Sequence, residues 1–188
     1  MSDNTDLLAV GISGAMSVGA KGAARPTNLA ASINPATWYD VGWISSDGLK
    51  NAVKETQKEF TPWGSATPAR TVTTASAETF DVTMWETNGR TLEVYYRKPF
   101  NSLTEGVDGS YDVDTGPVSN EHFAALFDIV DGNNHIRLWC PDVQTTGKGD
   151  VIYAPGDIIG YPVTLTAYPD ETGIAVYRQI LVGAIGES

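Results

Sequence analysis

Period-two alternation is the feature that most constrains this chain. In Arg70–Met84, the apolar Phe80, Val82 and Met84 alternate with Thr79, Asp81 and Thr83. Successive side chains of a strand point to opposite faces, so the pattern predicts a strand with one buried face. Near the start, Val10, Ile12, Gly14, Met16 and Val18 alternate with Gly11, Ser13, Ala15, Ser17 and Gly19. Small residues on one face suit a strand packed closely against another backbone. Trp38–Ser45, Phe123–Val130, Ile136–Pro141, Ile158–Tyr168 and Ile174–Val182 read as further strands. Turn signals separate them, among them Ser46-Asp47-Gly48, Asp131-Gly132-Asn133-Asn134 and Pro169–Gly173. Thr, Val and Ile make up 47 of the 188 residues, in keeping with a sheet protein.

Helical spacing is confined to one place. Leu92, Tyr95 and Tyr96 recur at intervals of three and four, Thr87-Asn88-Gly89 can cap a start, and Pro99 is a stop. The spacing predicts a short helix from about Asn88 to Arg97. Gly48–Pro68 fits two descriptions. Lys50, Lys54 and Lys58 recur every fourth residue beside Glu55 and Glu59, as in a solvated helix. Only Leu49, Val53 and Phe60 are available to dock such a helix, so the alternative is an exposed hairpin with both faces polar. Such a hairpin is marginal alone and orders against another subunit. Lys21–Thr37, rich in Ala, Asn and Pro, reads as an extended arm. Its first part, Lys21–Asn34, is expected to cross to an adjacent subunit. The fold expected is mainly β: a β-sandwich or partly closed barrel with one short packed helix and long extended loops. The length suits a single domain over 1–188. Its parts are a strand and arm at 1–37, a hairpin at 47–69, a long loop at 99–120 and the last strands at 123–182.

Charge narrows the function. Acids outnumber bases 23 to 12, a formal net charge of -11. Gripping nucleic acid through its phosphates needs the opposite sign. The densest acidic stretch, Glu105, Asp108, Asp112 and Asp114, lies in the Gly- and Ser-rich Pro99–Val118, a solvated loop. A single Cys140 permits no internal disulfide, and His122, His135 and Cys140 do not have the spacing of a zinc site. No apolar run approaches a membrane span. Leu7–Ala20 lacks the basic flank of a signal peptide, since Asp3 and Asp6 precede it. Synthesis in the cytoplasm is expected.

Catalytic motifs fail on inspection. Gly14–Lys21 misses a phosphate loop because the Lys comes one place late and Gly22 stands where Ser or Thr would hold magnesium. Gly11-Ile12-Ser13-Gly14-Ala15 misses the nucleophile elbow at Ala15. Asp112-Val113-Asp114-Thr115-Gly116 misses a calcium loop, with Phe123 at the twelfth position. The histidines read as surface or strand-end residues, and Cys140 as a small core hydrophobe. No cofactor, metal or catalytic residue is expected. Trp63, between Pro62 and Gly64 in a polar hairpin, has little local core to join and reads as an interface anchor.

Four segments together carry a family resemblance. They are Val10–Ala20 followed by Pro26-Thr27; Tyr39-Asp40-Val41-Gly42-Trp43-Ile44-Ser45-Ser46-Asp47-Gly48-Leu49; Phe60-Thr61-Pro62-Trp63-Gly64 with Ala69-Arg70-Thr71-Val72; and Phe80–Tyr96 with Glu86-Thr87-Asn88 in place. Ile159–Ala167 matches a late strand. In this order the chain resembles the major tail tube protein of long-tailed, non-contractile (siphovirus-type) bacteriophages, in the branch common among phages of actinobacteria. The 99–120 loop aligns least.

The resemblance implies a structural virion protein with no enzymatic site. It implies hexameric rings stacked into a tube, through which DNA is ejected without specific binding. The partners it implies are further copies of the chain, a tape-measure protein, a tail terminator and distal tail proteins, with no membrane. It also leads us to expect none of the additional immunoglobulin-like domain that many relatives carry. On this basis Asp47–Ala69 is expected to contact the neighbouring ring, with Trp63, Phe60 and Leu49 in the contact. Glu55, Glu59, Asp81 and Thr83 are expected to face the channel. The competing reading is an acidic β-sandwich that binds carbohydrate or mediates adhesion, using its five Trp and eight Tyr as sugar platforms.

Overall fold

The computed structural model describes residues 11–117 and 119–181; Val10 and Val182, at the ends of two expected strands, lie outside them. The elements are β1 (Ser13–Ala20), β2 (Trp38–Asp40), β3 (Lys50–Phe60), β4 (Arg70–Met84), α1 (Gly89–Tyr96), β5 (His122–Asp131), β6 (Asn134–Lys148), β7 (Tyr161–Ala167) and β8 (Tyr177–Leu181). The protein is mainly β, as its alternation requires. All strands join one antiparallel sheet in the order β2-β1-β5-β6-β7-β4-β3, with β8 beside β6. The helical alternative for Gly48–Pro68 is excluded: Lys50–Phe60 is a strand paired with β4.

The sheet curls over itself. Phe80 of β4 stacks on Phe127 of β5 at 4.9 Å, although β6 and β7 lie between those strands in the sheet. The long β6 makes the bend possible. One edge carries β5, while the other is shared by β8 at His135–Trp139 and β7 at Val143–Lys148. Bulges at Thr145/Gly147 and Phe123/Ala125 supply local twist. The chain after β2 then joins the two ends. The Val41 amide donates to the Met16 carbonyl, Ser45 to Thr83, and Trp85 to Trp43, at 3.0, 2.8 and 2.7 Å. An Ile44–Met84 bridge lies among them. The result is a partly closed barrel around Met16, Val18, Phe80, Met84, Phe127 and Leu165, all essentially buried. One side stays open as a cleft of about 860 Å³ lined by Ile12, Trp43, Leu49 and Leu138.

Helix α1 packs at one side, as expected. Asn88 caps it and ties it to the chain after β2: its Oδ1 accepts from the Thr91 amide at 2.9 Å, and its Nδ2 donates to the Val41 carbonyl at 2.9 Å. Arg97 ends it in the left-handed conformation, φ 55°, two residues before Pro99. Leu92, Val94 and Tyr95 enter the core, and the Tyr95 hydroxyl donates to Gly149 at 2.8 Å. The long 99–121 connection is anchored to the helix. Buried Glu93 accepts from the amides of Leu103 (2.8 Å) and Asn101 (3.1 Å).

The arm expected to cross to an adjacent subunit instead lies on its own chain. The reason is in β5. Phe123-Ala124-Ala125-Leu126-Phe127 is apolar at every position, because Phe123, Ala125 and Phe127 face the core while Ala124 and Leu126 form a second cluster with Trp38. A run buried on both faces needs cover on both. Ala23 and Ile33 of the arm supply it. Arg137 ties the arm down by donating from Nη1 to the carbonyls of Asn28 (2.9 Å) and Ala31 (3.3 Å). Gly19 permits the close approach, since a Cβ there would meet the Thr37 carbonyl oxygen at 2.8 Å.

Candidate assembly surface

The expected hairpin exists with different bounds. It runs from β3 through a tip at 61–69 into β4, so its second arm is the first half of β4 rather than residues before Ala69. β4 touches β7 only over Glu78–Met84. Beyond that point Val53–Phe60 and Arg70–Ala77 project as a two-stranded ribbon, about 25 Å long at the rise of a β-strand. Every residue of β3 is exposed, and in β4, apart from the half-buried Val72, burial begins near Glu78. An isolated hairpin is marginal in water, so this ribbon is a surface in want of a partner.

The three expected contact residues separate. Trp63 stands wholly exposed at the tip, and Phe60 is half exposed beside it. Leu49 is partly buried and packs against the chain's own core, ahead of the ribbon.

The four expected channel residues also separate, and the register explains why. Directly opposed residues in an antiparallel pair share a face. Lys50 opposes Asp81, so Lys50, Lys54 and Lys58 share a face with Asp81 and Thr83. Asn51 opposes the core residue Phe80, which places Val53, Glu55, Gln57 and Glu59 on the other face. Glu55 opposes Ser76 and Glu59 opposes Thr71. Hence Glu55 and Glu59 do not lie with Asp81 and Thr83. Their lysine neighbours do, since one position along a strand exchanges faces.

Around Asp81 the outer face of the body is hydroxyl-rich. Thr164 of β7 opposes Asp81 and donates to its carboxylate at 2.5 Å. The hydroxyls of Thr146 and Thr166 lie 2.7 Å apart. These threonines were missed as candidates, although Pro162, Thr164 and Thr166 alternate with the buried Tyr161, Val163, Leu165 and Ala167 and so announce a polar, half-buried outer face. On the ribbon the same face becomes basic, with Lys54, Lys58 and, opposite Phe60, Arg70. Apart from Lys50 and these three, four of the other eight bases have carboxylate partners: Lys21 with Asp142, Arg90 with Glu93, Arg137 with Asp128, and Arg178 with Glu78.

Groups capable of chemistry are occupied structurally. His122 Nδ1 sits 2.5 Å from Asp142, and His135 Nε2 2.8 Å from Asp128. Burial pushes the Cys140 thiol far above the ordinary range, which leaves no thiolate for reaction. Among the described residues no three His, Cys, Asp or Glu side chains group as a metal site. No helix among them is long and apolar enough to cross a membrane.

An exposed two-stranded ribbon thus stands beside a hydroxyl-rich outer sheet face. The family described as phage tail tube protein matches residues 1–180. The chain belongs to the phage tail tube protein family. It is thus a structural component of the virion tail that assembles with copies of itself. No curated protein matches the chain.

Proposed function

We propose that this tail tube protein forms hexameric rings that stack into a tube, and that genomic DNA leaves the capsid through its channel. The observation that carries the reading is the family match over 1–180 in a chain whose longest hairpin is exposed on both faces. The ribbon reaches the neighbouring ring, where Trp63 and Phe60 are its apolar anchors. The outer face of the body, with Asp81, Thr83, Thr164 and Thr166, lines the channel. A hydroxyl face with a carboxylate offers DNA no run of cations to hold its closely spaced phosphates. The tube is closed by a terminator, measured by a tape-measure protein and continued by distal tail proteins, and its subunits are made in the host cytoplasm.

The test replaces Val53–Ala77 with a short Gly-containing turn joining Ala52 to Glu78. The ribbon contributes nothing to the buried core, so the variant is expected to stay folded and soluble by circular dichroism. Electron microscopy of concentrated protein should then show tubes for the parent chain and none for the variant. Tubes of normal length from the variant would defeat the assignment.

A further inference from the structure

The tail tube reading leaves open what the basic face of the ribbon touches. Four of the twelve Lys and Arg residues, Lys50, Lys54, Lys58 and Arg70, share that face in a chain of net charge -11. Lys50 has Asp81 opposite. Lys54, Lys58 and Arg70 make no ion pair among the described residues; Lys58 instead lies 5.4 Å over the ring of Phe60. Phe60 and the half-buried Val72, which opposes Lys58, put apolar surface among these cations.

The complement is on the same molecule, in the 99–121 connection. Glu105, Asp108, Asp112 and Asp114 are exposed and form no ion pair among the described residues. The stretch is a built knob. The Gly106 amide donates to the Ser110 carbonyl at 2.8 Å, and the Gly109 amide to the Gly106 carbonyl at 2.9 Å. Ser110 donates from its hydroxyl to Asp108 at 2.6 Å, and Tyr111 packs back against the core. At the crest, between Glu105 and Asp108, Val107 is wholly exposed. Cations around an apolar patch on one surface match carboxylates around an apolar crest on the other.

Resting on the tube reading, we propose that the Lys54–Lys58–Arg70 face of the ribbon docks on the Glu105–Asp114 knob of a second copy of this chain. Both surfaces are exposed and no ion pair joins them among the described residues of one chain, while Leu103 and Tyr111 hold the knob to its own core, so the contact proposed is between copies. Docking removes the lysines from any path taken by DNA. It also turns two like-signed surfaces, which would repel if stacked on themselves, into complementary ones.

The experiment compares four chains at low salt: the parent, Lys54→Glu/Lys58→Glu, Asp108→Lys/Asp112→Lys, and the chain carrying all four changes. Each is checked for folding by circular dichroism, and its critical concentration for tube formation is measured by sedimentation and electron microscopy. Each double variant is expected to raise that concentration about tenfold or more, equivalent to about 1.4 kcal/mol. The fourfold variant is expected to return to within about threefold of the parent, and the differences should shrink in high salt. Double variants that assemble like the parent would overturn the pairing and leave the tube reading intact, as would a fourfold variant no better than the doubles. A parent chain that never forms tubes would overturn the tube reading and this inference with it. Duplex DNA serves as a separate probe. If the parent binds it and Lys54→Glu/Lys58→Glu abolishes that binding without affecting assembly, the face belongs to nucleic acid and the pairing is wrong.

Discussion

Removing the carboxylate of Asp128 should be strongly destabilising, and its consequences should concentrate in the arm. Arg137 is 5% exposed and Asp128 11% at the side chain. Its Nε donates to Asp128 Oδ1 at 2.7 Å and its Nη2 to Oδ2 at 3.1 Å, a bidentate pair. The remaining Nη1 holds the arm through Asn28 and Ala31. Asp128→Ala leaves a guanidinium buried without its counter-charge, which costs about 3–5 kcal/mol. That is a large share of the roughly 5–15 kcal/mol that stabilises an ordinary domain. The paired replacement Asp128→Leu/Arg137→Met leaves no lone charge, so most of that loss should be recovered. The arm carbonyls, however, lose their donor in both variants. Urea unfolding followed by tryptophan fluorescence should therefore rank parent, paired variant and Asp128→Ala in that order. Tryptic cleavage after Lys21 should accelerate in both. A cost below about 1 kcal/mol for Asp128→Ala, with the arm equally protected, would refute the clamp.

Asn88→Ala removes both the helix cap and the bond to Val41, and should lower stability by about 1–2 kcal/mol in thermal unfolding, with Asn88→Asp recovering the cap alone. Asp170 accepts from the Thr172 hydroxyl at 2.6 Å and from the Tyr177 hydroxyl at 2.7 Å, bonds that lower its carboxyl to about 2. A depressed folded value means the contribution is present above about pH 4, where the unfolded carboxyl ionises, and is lost as pH falls through about 2. A carboxyl-carbon NMR titration should place the Asp170 midpoint near 2, and Asp170→Asn should remove that step from the acid response of the 168–177 turn.

Most of the architecture was legible because it follows from local rules. Alternation marks β4 from Arg70 to Met84, and Asn88 and Pro99 mark α1. What was hidden depends on pairing across distance. Trp38–Ser45 reads as one strand, yet only Trp38–Asp40 keeps to β1, because the chain then swings across to β4 at Ile44. Ile136–Pro141 is the apolar centre of a strand that continues through polar Gln144 to Lys148, where β7 rather than its own pattern holds it. The arm has no pattern of its own. Its placement was written in β5, whose unbroken apolar run demanded a second cover.

The surface was harder for a related reason: assigning a side to Lys54 or Glu55 requires one pairing, and composition does not supply it. Once Lys50 opposes Asp81, the unbroken register to Thr56 fixes Lys54 and Glu55; it shifts between Thr56 and Gln57, so Lys58 and Glu59 are placed by their own partners, Val72 and Thr71. This consequence changes the physical picture of the channel. The register places Glu55 and Glu59 on the opposite face of the β3–β4 pair from Asp81. The face that includes Asp81 is hydroxyl-rich on the body and basic on the ribbon. A basic wall would make many simultaneous phosphate contacts and hold DNA in place, with affinity falling steeply as salt rises. In the proposed tube the ribbon lysines need a protein partner to neutralise them, and under the proposed docking the acidic knob of another copy carries that charge. Under these two proposals assembly and passage become one requirement: the contact that joins subunits is also the one that clears the channel of cations.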